Sequence, residues 1–165
     1  MTSQTEFRLL TAFRSMQALH DMETSHLKKL ASIAAEVKLP ADKVIYREGD
    51  VGTAIYLIEE GQVAIEMNLP DGNRATVLTV GPGQLFGWSA LFPPRRKTAS
   101  ARTVLPAKVI VIDATKLRDL FRTDHNLEHA LLQRVTEVVA DRLKATRERL
   151  ATVMRPAGDV QPGQS

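Results

Sequence analysis

Between positions 81 and 101 the chain reads Gly81-Pro82-Gly83-Gln84-Leu85-Phe86-Gly87-Trp88-Ser89-Ala90-Leu91-Phe92-Pro93-Pro94-Arg95-Arg96-Lys97-Thr98-Ala99-Ser100-Ala101. A turn signal leads into the apolar pair Leu85-Phe86. Gly87 then opens one short helical turn, Trp88 to Leu91, which Pro93-Pro94 stops before a basic cluster runs into a strand. That layout suits an anion cradle. Glycine lets the backbone approach a ligand closely, the first amides of a helical turn carry the positive end of its dipole, and a basic side chain completes the neutralisation.

Outward from this stretch, short strand-like runs lie on both sides: Val37-Leu39, Val44-Tyr46, Ile55-Glu59, Val63-Met67 and Ala75-Val80 before it, Ser100-Val104 and Val109-Ile112 after it. Breaks at Pro40-Ala41, Gly49-Asp50, Glu60-Gly61, Pro70-Asp71-Gly72-Asn73 and Leu105-Pro106 separate them. Evenly spaced short strands with turn signals predict a β-sandwich or jelly roll, with a hairpin at Asp71-Gly72.

Helical patterns flank the strands. Phe7, Leu9, Leu10, Phe13 and Met16 recur at helical spacing; Thr24-Ser25 can cap a second helix carrying Leu27, Leu30 and Ile33. After Ile112, Asp113 or Thr115 can cap a helix with Leu117, Leu120 and Phe121, and Asp124 or Asn126 can start a long one reaching about Met154. That helix has two apolar stripes. Leu127, Leu131, Val135 and Val138 suit packing on the barrel, while Leu132, Val139, Leu143, Leu150 and Val153 form a heptad-like seam that suits a second subunit. The expected fold is therefore mainly β with flanking helices: N-terminal helices in residues 1–35, a double-stranded β-helix or jelly roll in 36–113 with the cradle at 83–99, and C-terminal helices in 114–154. Met1 to Thr5 read as loose, and the Pro-, Gly- and Gln-rich tail 155–165 as disordered.

Phe86-Gly87-x-x-Ala90-Leu91, followed by Lys97-Thr98-Ala99, resembles the phosphate-binding cassette of the cyclic-nucleotide-binding domain, the sensor module of Crp/Fnr regulators, cAMP-dependent kinase regulatory subunits and nucleotide-gated channels. The similarity extends to Tyr46-Arg47-Glu48-Gly49-Asp50, to Ile55 through Val63 and to Val109-Ile110-Val111-Ile112, covering roughly Leu19 to Met154. It implies a ligand site formed by Phe86, Gly87, Trp88, Ser89, Ala90, Lys97, Thr98 and Ala99, with Arg142 and Thr146 contributed by the long helix. It also implies a cyclic nucleotide, cAMP or a relative, as ligand, and a signal passed through that helix to a separate effector.

Two positions depart from the family pattern. The family's glutamate, which accepts a hydrogen bond from the ribose 2′-hydroxyl, is replaced by Trp88, which can only donate. Trp88 either stacks on a ligand ring or fills the pocket and seals it. The family's phosphate-gripping arginine corresponds to Lys97, or to Arg96 or Arg95 if the loop shifts, and lysine offers a point charge in place of a two-pronged fork.

Other readings are narrower. With 165 residues the chain fits one domain, and a net charge of +3 is compatible with a phosphate ligand but too small to argue nucleic-acid binding. The absence of cysteine excludes disulfides, thiol nucleophiles and cysteine-held metal clusters. No run approaches the ~18 apolar residues of a membrane span, which fits a cytoplasmic protein. His125-x-x-Glu128-His129 matches a zinc-protease string, but it would open a helix with few turns left for a third ligand, and all four histidines fall outside the strands. Ser89 has no base placed beside it. No helix-turn-helix follows the long helix, so direct DNA binding is not expected. The sequence thus points to a non-enzymatic sensor without a metal or other cofactor, homodimeric through its last helix. The competing reading is a ligand-free dimeric interaction module whose pocket Trp88 has filled.

Overall fold

The computed structural model describes residues 2–154, so the expectation for the tail 155–165 lies outside the described residues. Two helices, α1 (Thr2–Arg14) and α2 (Thr24–Ser32), precede eight strands: β1 (Ala34–Leu39), β2 (Val44–Tyr46), β3 (Ala54–Glu60), β4 (Val63–Asn68), β5 (Arg74–Val80), β6 (Leu85–Phe86), β7 (Ser100–Thr103) and β8 (Ala107–Asp113). A 3₁₀ turn, Trp88–Leu91, follows β6, and helices α3 (Ala114–Thr123) and α4 (His125–Val153) close the described chain. The strands form two four-stranded antiparallel sheets, ordered β1-β8-β3-β6 and β2-β7-β4-β5. This is the expected jelly roll with helices at both ends.

The unbroken apolar run Ile55-Tyr56-Leu57-Ile58 follows from burial of β3 on both faces. Ile55 and Leu57 join the larger core under the helices, with Phe13, Leu27, Leu30, Ile110, Ile112 and Leu127. Ile58 and Tyr56 face between the sheets, where Val63, Val80, Phe86 and Ala101 form a smaller second core. Burying a side chain of this size contributes about 1.5–3 kcal/mol, so the first sheet is the plate on which the helices are fixed.

Of the two caps expected for each C-terminal helix, the aspartates serve. Asp113 Oδ1 accepts from the Lys116 amide at 2.8 Å and Asp124 Oδ1 from the Leu127 amide at 2.9 Å. The expectation at Thr24-Ser25 is corrected: Glu23 is the N-cap of α2 without a side-chain bond, and the Thr24 hydroxyl instead takes the Arg14 guanidinium. Thr2 through Thr5 belong to α1 and are not loose, and β1 starts at Ala34, because Ile33 ends α2 directly against the first sheet. In α4, Leu127, Leu131 and Val135 are buried as expected and Val138 is half-buried. Leu143, Leu150 and Val153 of the other stripe are exposed.

Gly61 turns β3 into β4 at φ 97°, and a Cβ there would lie 2.5 Å from the Pro106 carbonyl oxygen. Gly72, at φ 88° in the β4–β5 hairpin, has nothing within 4 Å of the same position. We expect Gly72→Ala to cost roughly 1 kcal/mol, the left-handed penalty alone. Gly61→Ala should cost roughly 1–3 kcal/mol more, because the clash is with backbone. Urea denaturation midpoints of the two variants check the difference.

Candidate ligand-binding site

β6 ends at Phe86, and Gly87 turns the chain at φ 82° into the 3₁₀ turn. A Cβ on Gly87 would sit 2.7 Å from Tyr56 Cδ2 and 3.3 Å from Lys97 Nζ, so the position admits no side chain. The Ala90 methyl is buried beneath the turn, and the Ala90 carbonyl accepts from Arg118 Nη1 of α3 at 2.9 Å.

The loop beyond the turn is fixed by backbone bonds to the residues after β2. The Gly52 amide donates to the Arg95 carbonyl and the Gly49 amide to the Lys97 carbonyl, both at 2.7 Å, while the Lys97 amide donates to the Asp50 carbonyl at 2.8 Å. This ladder sets the side-chain directions. Arg96 points outward, its guanidinium donating to the Gly49 carbonyl at 3.2 Å, and Lys97 points inward. Of the three basic residues considered, only Lys97 lines the cavity.

Lys97 is 4% exposed. Its Nζ donates to the Gly87 carbonyl at 2.9 Å and lies 4.3 Å from the centre of the Tyr46 ring and 5.9 Å from that of Tyr56. It makes no ion pair with a carboxylate among the described residues, and burial pushes its pKa down to about 8. The aromatic wall is continuous: the Tyr56 and Phe86 rings stack at 4.9 Å, with Tyr46 at 5.8 Å from Tyr56. Burial raises the pKa of both phenols, so they stay neutral.

Phe86, Gly87, Trp88, Ser89, Lys97, Thr98, Ala99 and Arg142 come together around one cavity of about 90 Å³. Tyr46, Ile65 and Leu78 complete its lining. These three were missed by sequence reasoning, although the alternation of β4 and β5 carries the signal that Ile65 and Leu78 share a face. Arg142 reaches from α4 to the mouth. Its Nη2 donates to the Leu85 carbonyl, its Cζ lies 4.8 Å from the Trp88 ring centre, and burial lowers its pKa to about 10. Trp88 is half-buried, turns its ring to Arg142 and lines the cavity together with Lys97 and Tyr46. Arg142 and Leu78 also border a second cavity of about 270 Å³ between α4, Gln17 and Gln84.

Thr146 is exposed and lines neither cavity; its hydroxyl donates to the Arg142 carbonyl of its own helix at 2.8 Å. Gly87 is the N-cap of the turn, and Ser89 lines the cavity. His125 is the first residue of α4, its ring 3.5 Å from the Glu128 carboxylate. No three metal-ligating side chains cluster among the described residues. No helix among the described residues is long and apolar enough to cross a membrane.

Comparison with known proteins agrees with this geometry. Residues 36–124 match the family described as the cyclic nucleotide-binding domain. A CRP-like cAMP-activated global transcriptional regulator of Mycobacterium tuberculosis is 29% identical over 133 residues, covering 81% of this chain and 58% of the relative. The cyclic AMP receptor protein of Thermus thermophilus is 34% identical over 110 residues, covering 59% of this chain and 47% of the relative. The chain thus spans about half the length of these two regulators. Among solved structures, a putative cyclic nucleotide-binding protein from Geobacter metallireducens superposes with a TM-score of 0.72 at 29% identity, covering 84% of this chain and 98% of that one. A cyclic nucleotide-binding domain from Methylobacillus flagellatus reaches a TM-score of 0.79 over 94% of this chain and 87% of its own; at 21% identity that likeness is one of fold. The match over residues 36–124, on a jelly roll that carries the cassette around Gly87, shows that this chain belongs to the cyclic nucleotide-binding domain family.

Proposed function

We propose that this chain is a regulatory domain whose 86–99 cassette receives the phosphate of a cyclic nucleotide, or of a related phosphate-bearing small molecule, and whose helix α4 passes occupancy to an effector. One observation carries the reading: the Lys97 ammonium is buried without a counter-ion among the described residues and lines the cavity. A depression of its pKa to about 8 corresponds to a cost on the order of 3 kcal/mol for holding the charge there at neutral pH. A merely structural site would be at least as stable with an apolar side chain of the same length. A bound phosphate supplies the missing anion.

The ligand grip differs from that of a site with a carboxylate and an arginine. Trp88 accepts nothing from a ribose hydroxyl, and an unmade bond of that kind costs about 1–3 kcal/mol, or roughly 5- to 150-fold in affinity. Its ring offers stacking in exchange. Since the two regulators above are described as cAMP-activated and as a cyclic AMP receptor, cAMP is the first probe. Homodimerisation fits the exposed Leu143, Leu150 and Val153 stripe of α4. The second reading, a ligand-free interaction module, is favoured by the cavity volume of about 90 Å³, well under the roughly 300 Å³ at which small-molecule pockets begin.

Titration with cAMP and cGMP, followed by the fluorescence of Trp88, the sole tryptophan, separates the two. A saturable change that disappears in Lys97→Met supports the sensor; no response at millimolar concentration supports the interaction module. Because Lys97→Met removes a buried charge together with its bond to Gly87, we expect its unfolding free energy to stay within about 1 kcal/mol of the parent. Thermal unfolding checks this and rules out collapse as the cause of lost binding.

The pH dependence has a definite sign. An anion beside Lys97 raises its pKa from about 8 toward the ordinary lysine range, so above pH 8 binding takes up a proton. Affinity should therefore be level below pH 8 and fall by up to about tenfold per pH unit above it. Calorimetric titrations between pH 7 and 9.5 check the slope.

A further inference from the structure

The string His125-Asn126-Leu127-Glu128-His129 has no part in the Lys97 site, yet the fold holds it in a definite arrangement. Leu127 and Leu131 are buried in the core, and Asp124, paired with Lys29, accepts from the Leu127 amide, so the first turn of α4 is fixed from beneath. His125 and His129 are both exposed. Four residues apart, they stand on one face of the helix, about 6 Å from each other along its axis. With Glu128, Leu132, Gln133 and Thr136 they line an open groove of about 500 Å³. Imidazoles in that relation can hold one metal ion between them.

One ring is already oriented, since His125 Nδ1 lies 3.5 Å from Glu128 Oε1. A proton on Nδ1 faces the carboxylate and leaves Nε2 as the ligand atom, the arrangement that commonly supports a metal-bound histidine. Two ligands from one chain do not complete a zinc site, which takes four, or three and a water. The chain does not supply the rest: no three metal-ligating side chains cluster among the described residues.

The remaining ligands follow from the seam of α4. Leu132, Thr136, Val139, Leu143, Thr146, Leu150 and Val153 alternate steps of four and three residues. Continued toward the N-terminus, the next two steps, three and then four, fall on His129 and His125. The histidines are thus the first two positions of the same seam. Within one chain Leu143, Leu150 and Val153 are exposed, and Leu132 and Val139 are only half-buried. A matching apolar line covers them all, which is what a second copy of this chain supplies. In a parallel two-fold pairing each seam residue meets its counterpart, so the imidazoles of both chains converge at one end.

We propose that His125 and His129 of two chains form a shared site for a divalent transition metal of the zinc type, which locks the N-terminal end of the α4 seam. Two exposed histidines on a helix are ordinary; the one-turn spacing, the carboxylate at His125 and the register with the seam set these apart. The shared site rests on the reading that the domain pairs through α4. Imidazole suits zinc, nickel and copper, whereas magnesium and calcium prefer oxygen ligands and should not compete.

Zinc titration of the untagged full chain, followed by analytical ultracentrifugation, tests the proposal. The expected result is one zinc per two chains. Because the metal binds only the pair, zinc at about a hundred times its dissociation constant should tighten the dimer about a hundredfold. Glu128→Gln should weaken zinc binding by about tenfold. His129→Ala should weaken it further, and substitution of another exposed histidine, His20→Ala, should leave it unchanged. The substituted side chains are on the surface, so metal-free thermal unfolding of each variant should match the parent. Zinc binding that survives the double substitution of His125 and His129 by alanine overturns the proposal. A chain that dimerises without binding zinc at millimolar concentration also overturns it but leaves the α4 seam standing, whereas a chain that binds one zinc and stays monomeric removes the seam as well.

Discussion

A lysine ammonium held out of water, bonded to one carbonyl and set over one tyrosine face, is the contact on which the rest of the site depends. Lys97 reaches Gly87 only because that glycine has no side chain and stands in a left-handed conformation. It points inward only because the loop before it is laddered onto residues 49–52. Its charge is tolerated by the Tyr46 face and the Gly87 carbonyl, which give less than the water they replace, and its depressed pKa reports the deficit. A site that carries such a deficit is poised for an anion.

The fold borders this site with two kinds of contact, apolar packing on the barrel side and arginine contacts on the side of α4. β3 is buried on both faces and joins two cores, so the sheet that ends in β6 and the cassette cannot shift without disturbing both. Helix α4 begins on the same core and leaves it after Val139, where apolar packing gives way to arginine contacts. Apolar burial is non-directional and cooperative, whereas a stacked guanidinium can be displaced by one competing group. The boundary between the two kinds of contact falls beside the Lys97 cavity, which Arg142 borders.

Much of this was legible in the residues. The short strands, the Asp71-Gly72 hairpin, the turn at Trp88 to Leu91 and the Asp113 and Asp124 caps are local features, each written in a few neighbouring positions. What escaped depends on pairings across the chain. The choice among Arg95, Arg96 and Lys97 is made by amides of residues 49–52, which the loop sequence does not display. The cation–π contact of Arg142 with Trp88 joins two distant elements, and its strength depends on burial that neither element shows alone. Thr146 reads as a candidate from its place on the helix, yet it spends its hydroxyl on the preceding turn, as threonines in helices often do. The place of the Tyr46 ring in the lining is not legible in the sequence, because a three-residue strand shows too little alternation to tell its inner face.

The central claim, that Lys97 is a desolvated cation awaiting an anion, is tested most directly by nuclear magnetic resonance titration of its Cε and Nζ in lysine-labelled protein, assigned with Lys97→Met. The account predicts a midpoint near pH 8 in the free domain and an upward shift when a cyclic nucleotide is added. A midpoint in the ordinary lysine range near 10.4, the same with and without nucleotide, would contradict it.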